Sequence, residues 1–129
     1  MKKMARLSYL FLLIMLLPSI SGAAALSDEA MPSAAMEDEI SYLLSAVDRD
    51  DCTFVRNDIS YYNREFQQHL RSKLEGNDEL INSAEDFIAK IATRSSLSES
   101  PYVALCGGEL QIMKDWLTEL LESYRRSNW

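Results

Sequence analysis

The chain has 129 residues, of which 20 are acidic and 13 are lysine or arginine, and its net charge at neutral pH is −7. Hydrophobic residues make up 47% of it, and its length is enough for one domain with a single modest core. Because phosphate binding needs a basic patch, this acidity argues against a nucleic-acid-binding protein. Cations, basic peptides and basic proteins are the natural long-range partners of such a chain, although we favour solubility as the explanation of its charge.

The first 25 residues have the charged, apolar and small-residue order of a secretory signal peptide. Three positive charges precede an apolar run over residues 7–17, and small residues follow it up to Ala25. A helix of that length spans only about 16 Å, whereas a membrane core is about 30 Å thick, so cleavage is favoured over an uncleaved anchor. We predict cleavage between Ala25 and Leu26, with a site after Ala23 as the alternative.

This N-terminal segment sets the predicted compartment and domain organisation. Its short charged start is typical of bacteria, so we expect a protein that is periplasmic or secreted by the general secretory route. Loss of residues 1–25 would change the net charge from −7 to −10, because all three charges lost are positive. Residues 26–35 are predicted to be a flexible lead and residues 36–129 a single helical domain, with no stable membrane insertion after cleavage.

Four segments have the apolar periodicity of amphipathic helices. The first runs from about Ala35 to Asp48. The second begins at a cap formed by Asn57 or Asp58 and ends at Gly76. Its apolar stripe comprises Ile59, Tyr62, Phe66, Leu70 and Leu74.

The remaining segments complete a mainly α prediction. Ser83 and Asp86 form an approximate capping box for a third helix, and the Gly-Gly pair at 107–108 turns the chain into a last helix. Residues 52–55 and 102–106 have the composition of short strands, and we find no internal repeat. We therefore predict a small four-helix domain with one short two-stranded β ribbon and one disulfide.

The two cysteines, Cys52 and Cys106, are predicted to form that disulfide. Two cysteines in an oxidising compartment commonly pair, and the long loop between them corresponds to a stabilisation of about 4 kcal/mol in the chain-entropy model. A redox-active pair would need thiols that are close in sequence, as in C-x-x-C, so we favour a structural role.

Four blocks of residues, at 54–57, 69–74, 81–88 and 95–103, follow one another along most of the predicted domain. They include Phe-Val-Arg-Asn in the first block and Pro-Tyr-Val at the end of the last. In these blocks the chain resembles the YfeK-like family of small exported bacterial proteins, over roughly residues 36–121. The resemblance implies export and a compact single domain, and it implies no activity because the family's domain is of unknown function.

Two positions depart from the pattern of that family. The family places a glycine after the Arg-Asn pair, where this chain has Asp58, and another in the serine-rich loop, where it has Glu99 and Ser100. If those glycines have positive φ, aspartate adopts the conformation moderately well and glutamate poorly.

A low-specificity candidate ligand cluster consists of Arg56, Asn57, His69, Ser96 and Ser98. Arginine offers a planar fork of donors, and the hydroxyls and loop amides could complete a site for an anion or a carboxylate. The alternative, which we favour at this point, is structural. In it Asn57 caps a helix, Arg56 pairs with an acid, and the serines solvate a loop.

His69 is the single histidine, and Glu65 lies one helical turn earlier, as in a catalytic imidazole held by a carboxylate. No G-x-S-x-G motif is present and both cysteines are predicted to be oxidised, so we favour a structural histidine at the rim of the apolar stripe. One histidine and two distant cysteines do not make a zinc site, and residues 48–51 lack the later ligands of a calcium loop. We predict no catalytic, metal-binding or cofactor-binding residue and no cofactor.

These observations favour a non-enzymatic exported domain that binds a protein or peptide partner in the envelope, and its charge makes a basic partner the simplest choice. The alternative is a small periplasmic hydrolase or transferase in which His69 is the general base and Arg56 holds an anion. A purely structural envelope protein is a third hypothesis.

Overall fold

The computed structural model describes residues 31–128, in which helices pack on one face of an antiparallel sheet. The predicted signal peptide, its cleavage site at Ala25 and Leu26, and the start of the predicted lead lie outside these residues. The main elements are α1 (Met31–Val47), β1 (Cys52–Arg56), β2 (Ile59–Tyr62), α2 (Asn63–Glu75), α3 (Ala84–Phe87), β3 (Val103–Cys106), β4 (Glu109–Ile112) and α4 (Met113–Asn128). A short 3-10 helix, Asp78–Leu80, precedes α3, and a π-helical segment, Ile88–Ala92, continues it. Among residues 31–128 no helix combines the length and the apolar character that crossing a membrane requires.

The prediction of a mainly α fold with a two-stranded ribbon is wrong, because four strands form one sheet in the order β2-β1-β3-β4. The predicted ribbon is present as the central β1–β3 pair, in which Val55 lies opposite Val103. Each of its strands also pairs with a partner of its own. The segment Ile59–Tyr62, predicted above to be part of the second helix, is β2. Similarly, Glu109–Ile112 is β4 rather than the start of the last helix.

Two tight turns with left-handed backbone explain this difference. Asn57 and Asp58 have φ of 51° and 64°, and Gly107 and Gly108 have φ of 59° and 83°. Positive φ at both central residues of a two-residue loop gives the twist that an antiparallel hairpin needs. Asn57 is therefore a hairpin residue and not a helix cap, and Tyr62 is the residue that precedes α2.

Asp58 and Glu99, which were singled out above as departures from the expected pattern, both have left-handed backbone in this chain. Asp58 has φ of 64°, and Glu99, in the serine-rich loop, has φ of 56°. A left-handed conformation costs a residue with a Cβ about 1–2 kcal/mol, and aspartate is among the residues that visit it most often. The strain therefore falls mainly on Glu99.

Each hairpin leads directly into a helix, so the structure contains two hairpin–helix units. The first unit comprises β1, β2 and α2, and the second comprises β3, β4 and α4. They are related by a shift of 50 residues, since β2 begins at Ile59 and β4 at Glu109. Phe54 lies opposite Ala104, its own equivalent under that shift, so an approximate twofold axis passes through this pair. The repeat is not evident in the sequence, because the two units share turns and apolar positions rather than residue identities.

The core lies between the sheet and the helices, and it follows the same symmetry. Phe54 is fully buried at its centre. Phe66 of α2 stacks on it with ring centroids 4.8 Å apart, and Trp116 of α4, the equivalent of Phe66, lies 6.0 Å away. Burying a side chain of this kind contributes about 1.5–3 kcal/mol. On the opposite face of the sheet, Tyr62 and Leu110 are exposed.

Polar contacts hold α3, which lies between the two hairpin–helix units, and α4. The Ser83 hydroxyl accepts a hydrogen bond of 3.0 Å from the Asp86 amide, which confirms the predicted cap of α3. Arg125, near the end of α4, forms ion pairs with Glu39 of α1 and with Glu85 of α3. Hydrogen bonds to Glu39 and Glu85 raise the pKa of Arg125. The two ion pairs link α1 and α3 to α4.

The predicted disulfide is confirmed. Cys52 and Cys106 lie directly opposite each other in the β1–β3 pair, and their sulfur atoms are 2.09 Å apart. The bridge therefore joins the two hairpin–helix units covalently at one end of their shared strand pair.

Candidate functional site

The predicted ligand cluster is divided between two places in the structure. Arg56, at the end of β1, and His69, on α2, line one pocket. Asn57, in the first hairpin turn, and Ser98 instead form a hydrogen bond with each other. Ser96 is exposed and is not part of the pocket lining.

The second group is a structural contact between the first hairpin and the serine-rich loop. The Asn57 side-chain amide donates to the Ser95 hydroxyl at 3.2 Å, and Ser95 is 1% exposed. The same hydroxyl accepts from the Leu97 amide at 3.2 Å. Ser95 and Ser98 therefore both bond to Asn57, and together they tie the turn to the serine-rich loop outside the pocket.

The pocket lies in the first hairpin–helix unit and has a volume of about 290 Å³. Tyr61 is directly opposite Phe54 and Arg56 is two residues further along β1, so both side chains are on the face of the sheet that α2 covers. The α2 residues of the lining are three and four positions apart, which puts them on one side of the helix. The lining comprises Arg56, Tyr61, Glu65, Phe66, Gln68, His69 and Ser72.

Arg56 is the unusual member of this lining. Its Nε atom is buried, and no hydrogen-bond acceptor within residues 31–128 reaches it. None of the ion pairs found in that part of the chain includes Arg56, although the chain has 20 acidic residues. Leaving such a donor buried and unpaired costs about 1–3 kcal/mol, so the position favours a partner that brings an acceptor.

His69 lies beside Arg56 and is held by aromatic contacts. Its Nε2 is 3.2 Å from the Tyr102 hydroxyl, and its ring is edge-on to the Tyr102 ring. Burial, and then the positive charges of Arg56 and Lys73, lower the pKa of His69 below its usual 6.5. At neutral pH the imidazole is therefore uncharged.

Cationic side chains surround Tyr102 on the same side of the molecule. The Lys73 ammonium lies 5.4 Å from the centre of the Tyr102 ring and donates to the Arg94 carbonyl at 2.8 Å. Burial lowers the pKa of Lys73, as do the charges of Arg56 and Arg94. Burial also raises the pKa of the Tyr102 phenol, although Arg56 acts in the opposite direction. The region is therefore positive in an otherwise acidic chain, and its chemistry suits an anion.

Sequence reasoning missed the contribution of Tyr102 and Lys73. Tyr102 is 33 residues from His69 along the chain, so only the pairing of β1 with β3 brings it beside α2. Lys73 follows His69 by one helical turn, which is the spacing that could have identified it. Within residues 31–128 no three His, Cys, Asp or Glu side chains are grouped so as to hold a metal ion.

The second hairpin–helix unit has a pocket at the equivalent place, with a volume of about 480 Å³. Four lining positions correspond under the 50-residue shift: Tyr61 and Gln111, Phe66 and Trp116, His69 and Glu119, and Ser72 and Glu122. The second pocket is thus lined by two carboxylates where the first has an imidazole and a hydroxyl. The same backbone carries two different electrostatic environments.

The comparisons with known proteins agree with this description of a small domain without an assigned activity. Residues 34–125 match the family model described as Family of unknown function (DUF5329). The chain is 40% identical over 67 residues to the uncharacterized protein YfeK of Salmonella typhimurium (strain LT2), which is 51% of this chain and 56% of that protein. The chain thus spans little more than half the length of that relative, and no solved structure matches it. Because the family model covers most of the chain, the protein belongs to this YfeK-like family of unknown function.

Proposed function

We propose that the protein is a non-enzymatic binding domain whose pocket in the first hairpin–helix unit recognises an anionic group. The observation that supports this is the buried, unpaired Nε of Arg56 beside a 290 Å³ pocket. A guanidinium presents several donors in a fixed plane, which matches the two oxygens of a carboxylate or a phosphate. Lys73 and Arg94 add positive charge nearby, since both lower the pKa of a neighbouring group.

The geometry favours binding over the hydrolase or transferase hypothesis. A general base that activates a nucleophile lies within hydrogen-bond distance of it and is usually oriented by a third group. In the described residues the hydrogen-bond partner of His69 is Tyr102, a phenol whose pKa is raised, so it is a poor nucleophile at neutral pH. Glu65 lines the pocket, but its carboxylate accepts no hydrogen bond from His69 in this part of the chain.

We further propose that binding takes place in the periplasm or outside the cell. The signal-peptide pattern of the N-terminal residues predicts export, and a formed disulfide is typical of oxidising compartments. A ligand of this domain would then be a molecule of the envelope or of the medium.

A basic protein or peptide is the second candidate partner, and the second unit favours it. Glu119 and Glu122 line the second pocket, and Asp115 is exposed on the same helix. Opposite charge would accelerate the association of a basic chain with this helix, and salt would weaken it. Binding of a basic partner at the second pocket should weaken with added salt. It should be lost in the Glu119→Gln, Glu122→Gln variant and retained in the Arg56→Gln variant.

The main proposal is tested by isothermal titration calorimetry, in which sodium acetate and inorganic phosphate are titrated into the purified full chain. We expect saturable binding of at least one anion. We expect Arg56→Gln to weaken it at least about tenfold, which corresponds to a lost charge-assisted hydrogen bond of about 1.5 kcal/mol or more. Arg126→Gln, which removes the same charge from the second pocket, is the matched control and should leave the affinity unchanged. Non-saturable heats, or equal losses in the two variants, would contradict the proposal.

A further inference from the structure

Two opposite charges face the first pocket without reaching each other. Arg56 projects from the sheet, and Glu65 lies in the first turn of α2. Among residues 31–128 neither one takes part in an ion pair, which means that no nitrogen of Arg56 is within 4.0 Å of a Glu65 oxygen. At neutral pH these are the two charged side chains of the lining, because His69 is uncharged.

Glu65 also has a structural role that does not need the pocket. A carboxylate in the first turn of a helix interacts favourably with the helix dipole. That role is satisfied by any orientation of the side chain toward the solvent. It does not account for a carboxylate and a guanidinium that line one cavity and remain separate.

We propose that the ligand of this pocket is a small zwitterion, whose carboxylate binds Arg56 and whose ammonium group binds Glu65. Free α-amino acids and short unmodified peptides have this chemistry. The inference rests on the proposed function, since it assigns to Arg56 the anionic half of the same ligand. It adds a second charged contact and therefore a class of compound.

The size and the walls of the pocket agree with such a ligand. A volume of about 290 Å³ is at the lower end of the range for ligand pockets, which suits an amino acid or a dipeptide rather than a large molecule. Tyr61 supplies the accessible apolar side of the pocket, with the fully buried Phe66 at its base, and Gln68 and Ser72 supply neutral polar groups. We therefore expect a preference for an apolar side chain over a charged one.

A comparison with the second unit explains why we expect zwitterion binding in the first pocket and not in the second. The equivalent of Glu65 is Asp115, so a carboxylate is present at both places. The equivalent of Arg56 is Cys106, which is in the disulfide and carries no charge. The combination of a guanidinium on the sheet and a carboxylate in the first turn of the helix is thus confined to the first unit, and the charges of the second pocket, Glu119, Glu122 and Arg126, all lie on α4.

The test is a calorimetric screen of the full chain against the twenty standard L-amino acids and a panel of dipeptides. It is followed by a matched series built on the strongest binder: the free compound, its N-acetyl derivative and its C-terminal amide. We expect the free compound to bind at least about tenfold more tightly than either derivative, because each derivative lacks one charged group. Comparing amino acids with dipeptides distinguishes the two sources of the same chemistry.

Two variants connect the result to the pocket. Glu65→Gln should weaken binding of the free compound at least about tenfold and leave the affinity for its N-acetyl derivative unchanged. Asp115→Asn, the equivalent change in the second unit, is the control and should alter neither affinity. Equal binding of the free and the N-acetyl compound, with no effect of Glu65→Gln, would overturn the zwitterion inference and leave the anion site intact. Failure of acetate, phosphate and all of these compounds to bind would overturn the proposed function as well.

Discussion

The two ends of the central β1–β3 strand pair have the same backbone arrangement but side chains with different roles. At one end Cys52 and Cys106 form a disulfide. The approximate twofold axis carries Cys52 onto Tyr102 and Cys106 onto Arg56, which lie beside the pocket at the other end. One end thus stabilises the fold with a covalent bond, and the other leaves a buried donor unpaired. Under the proposed function, the two copies of the unit divide stability and binding between them.

The largest expected effect comes from the disulfide end. Replacing both cysteines, Cys52→Ala and Cys106→Ala, should lower the free energy of unfolding by about 4 kcal/mol, because the unfolded chain loses the restraint of a long closed loop. Denaturant unfolding measures this, and adding reductant to the unchanged protein should reproduce the loss. The folded variant should keep its anion affinity, since the pocket is at the opposite end. A loss of affinity in a fully folded variant would show that the two ends are coupled.

A smaller effect of opposite sign is expected at the pocket end. Arg56→Met should raise the free energy of unfolding by about 1–3 kcal/mol, because it removes a buried donor that has no partner in the described residues. The same change should abolish anion binding. Urea unfolding, with Arg126→Met as the matched change in the second unit, measures the gain. A destabilised Arg56→Met variant would show that this arginine supports the fold, and the contrast between the two ends would then fail.

The smallest expected effect is a pH dependence from His69. Burial and the charges of Arg56 and Lys73 lower its pKa, so below pH 6.5 the unfolded chain takes up a proton at this residue more readily than the folded chain does. Stability from the neutral imidazole is present above pH 6.5 and is lost as the pH falls through the lowered pKa. Denaturant unfolding at several pH values should therefore show that the free energy of unfolding falls more with decreasing pH in the unchanged protein than in His69→Gln. Parallel pH dependences would contradict this assignment.

The fold was predictable where one signal dominated. The Cys52–Cys106 bridge, the cap at Ser83 and the pairing of residues 52–55 with 102–106 follow from cysteine count, capping chemistry and strand composition. β2 was missed because Ile59 and Tyr62 also fit a helical stripe with Phe66, and a strand of four residues has too little alternation to outweigh it. The Asn-Asp dipeptide was the available signal, since both of its residues tolerate positive φ.

The candidate site was predictable in part, for a different physical reason. Arg56 and His69 were singled out from the chemistry of their side chains, and they do line one pocket. Asn57 and Ser98 were grouped with them, but a hydrogen bond between those two side chains takes them to a separate contact. Tyr102 enters only through long-range pairing of strands, which local sequence patterns do not contain.

The central claim concerns one atom, the Nε of Arg56, and nuclear magnetic resonance of the ¹⁵N-labelled full chain observes it directly. On titration with acetate, we predict that the Arg56 Nε–H signal shifts in a saturable manner, as expected when a guanidinium gains a charged acceptor. The Arg126 Nε–H signal, in the second pocket, should not respond. A saturable shift of Arg126 with none at Arg56 would contradict the account.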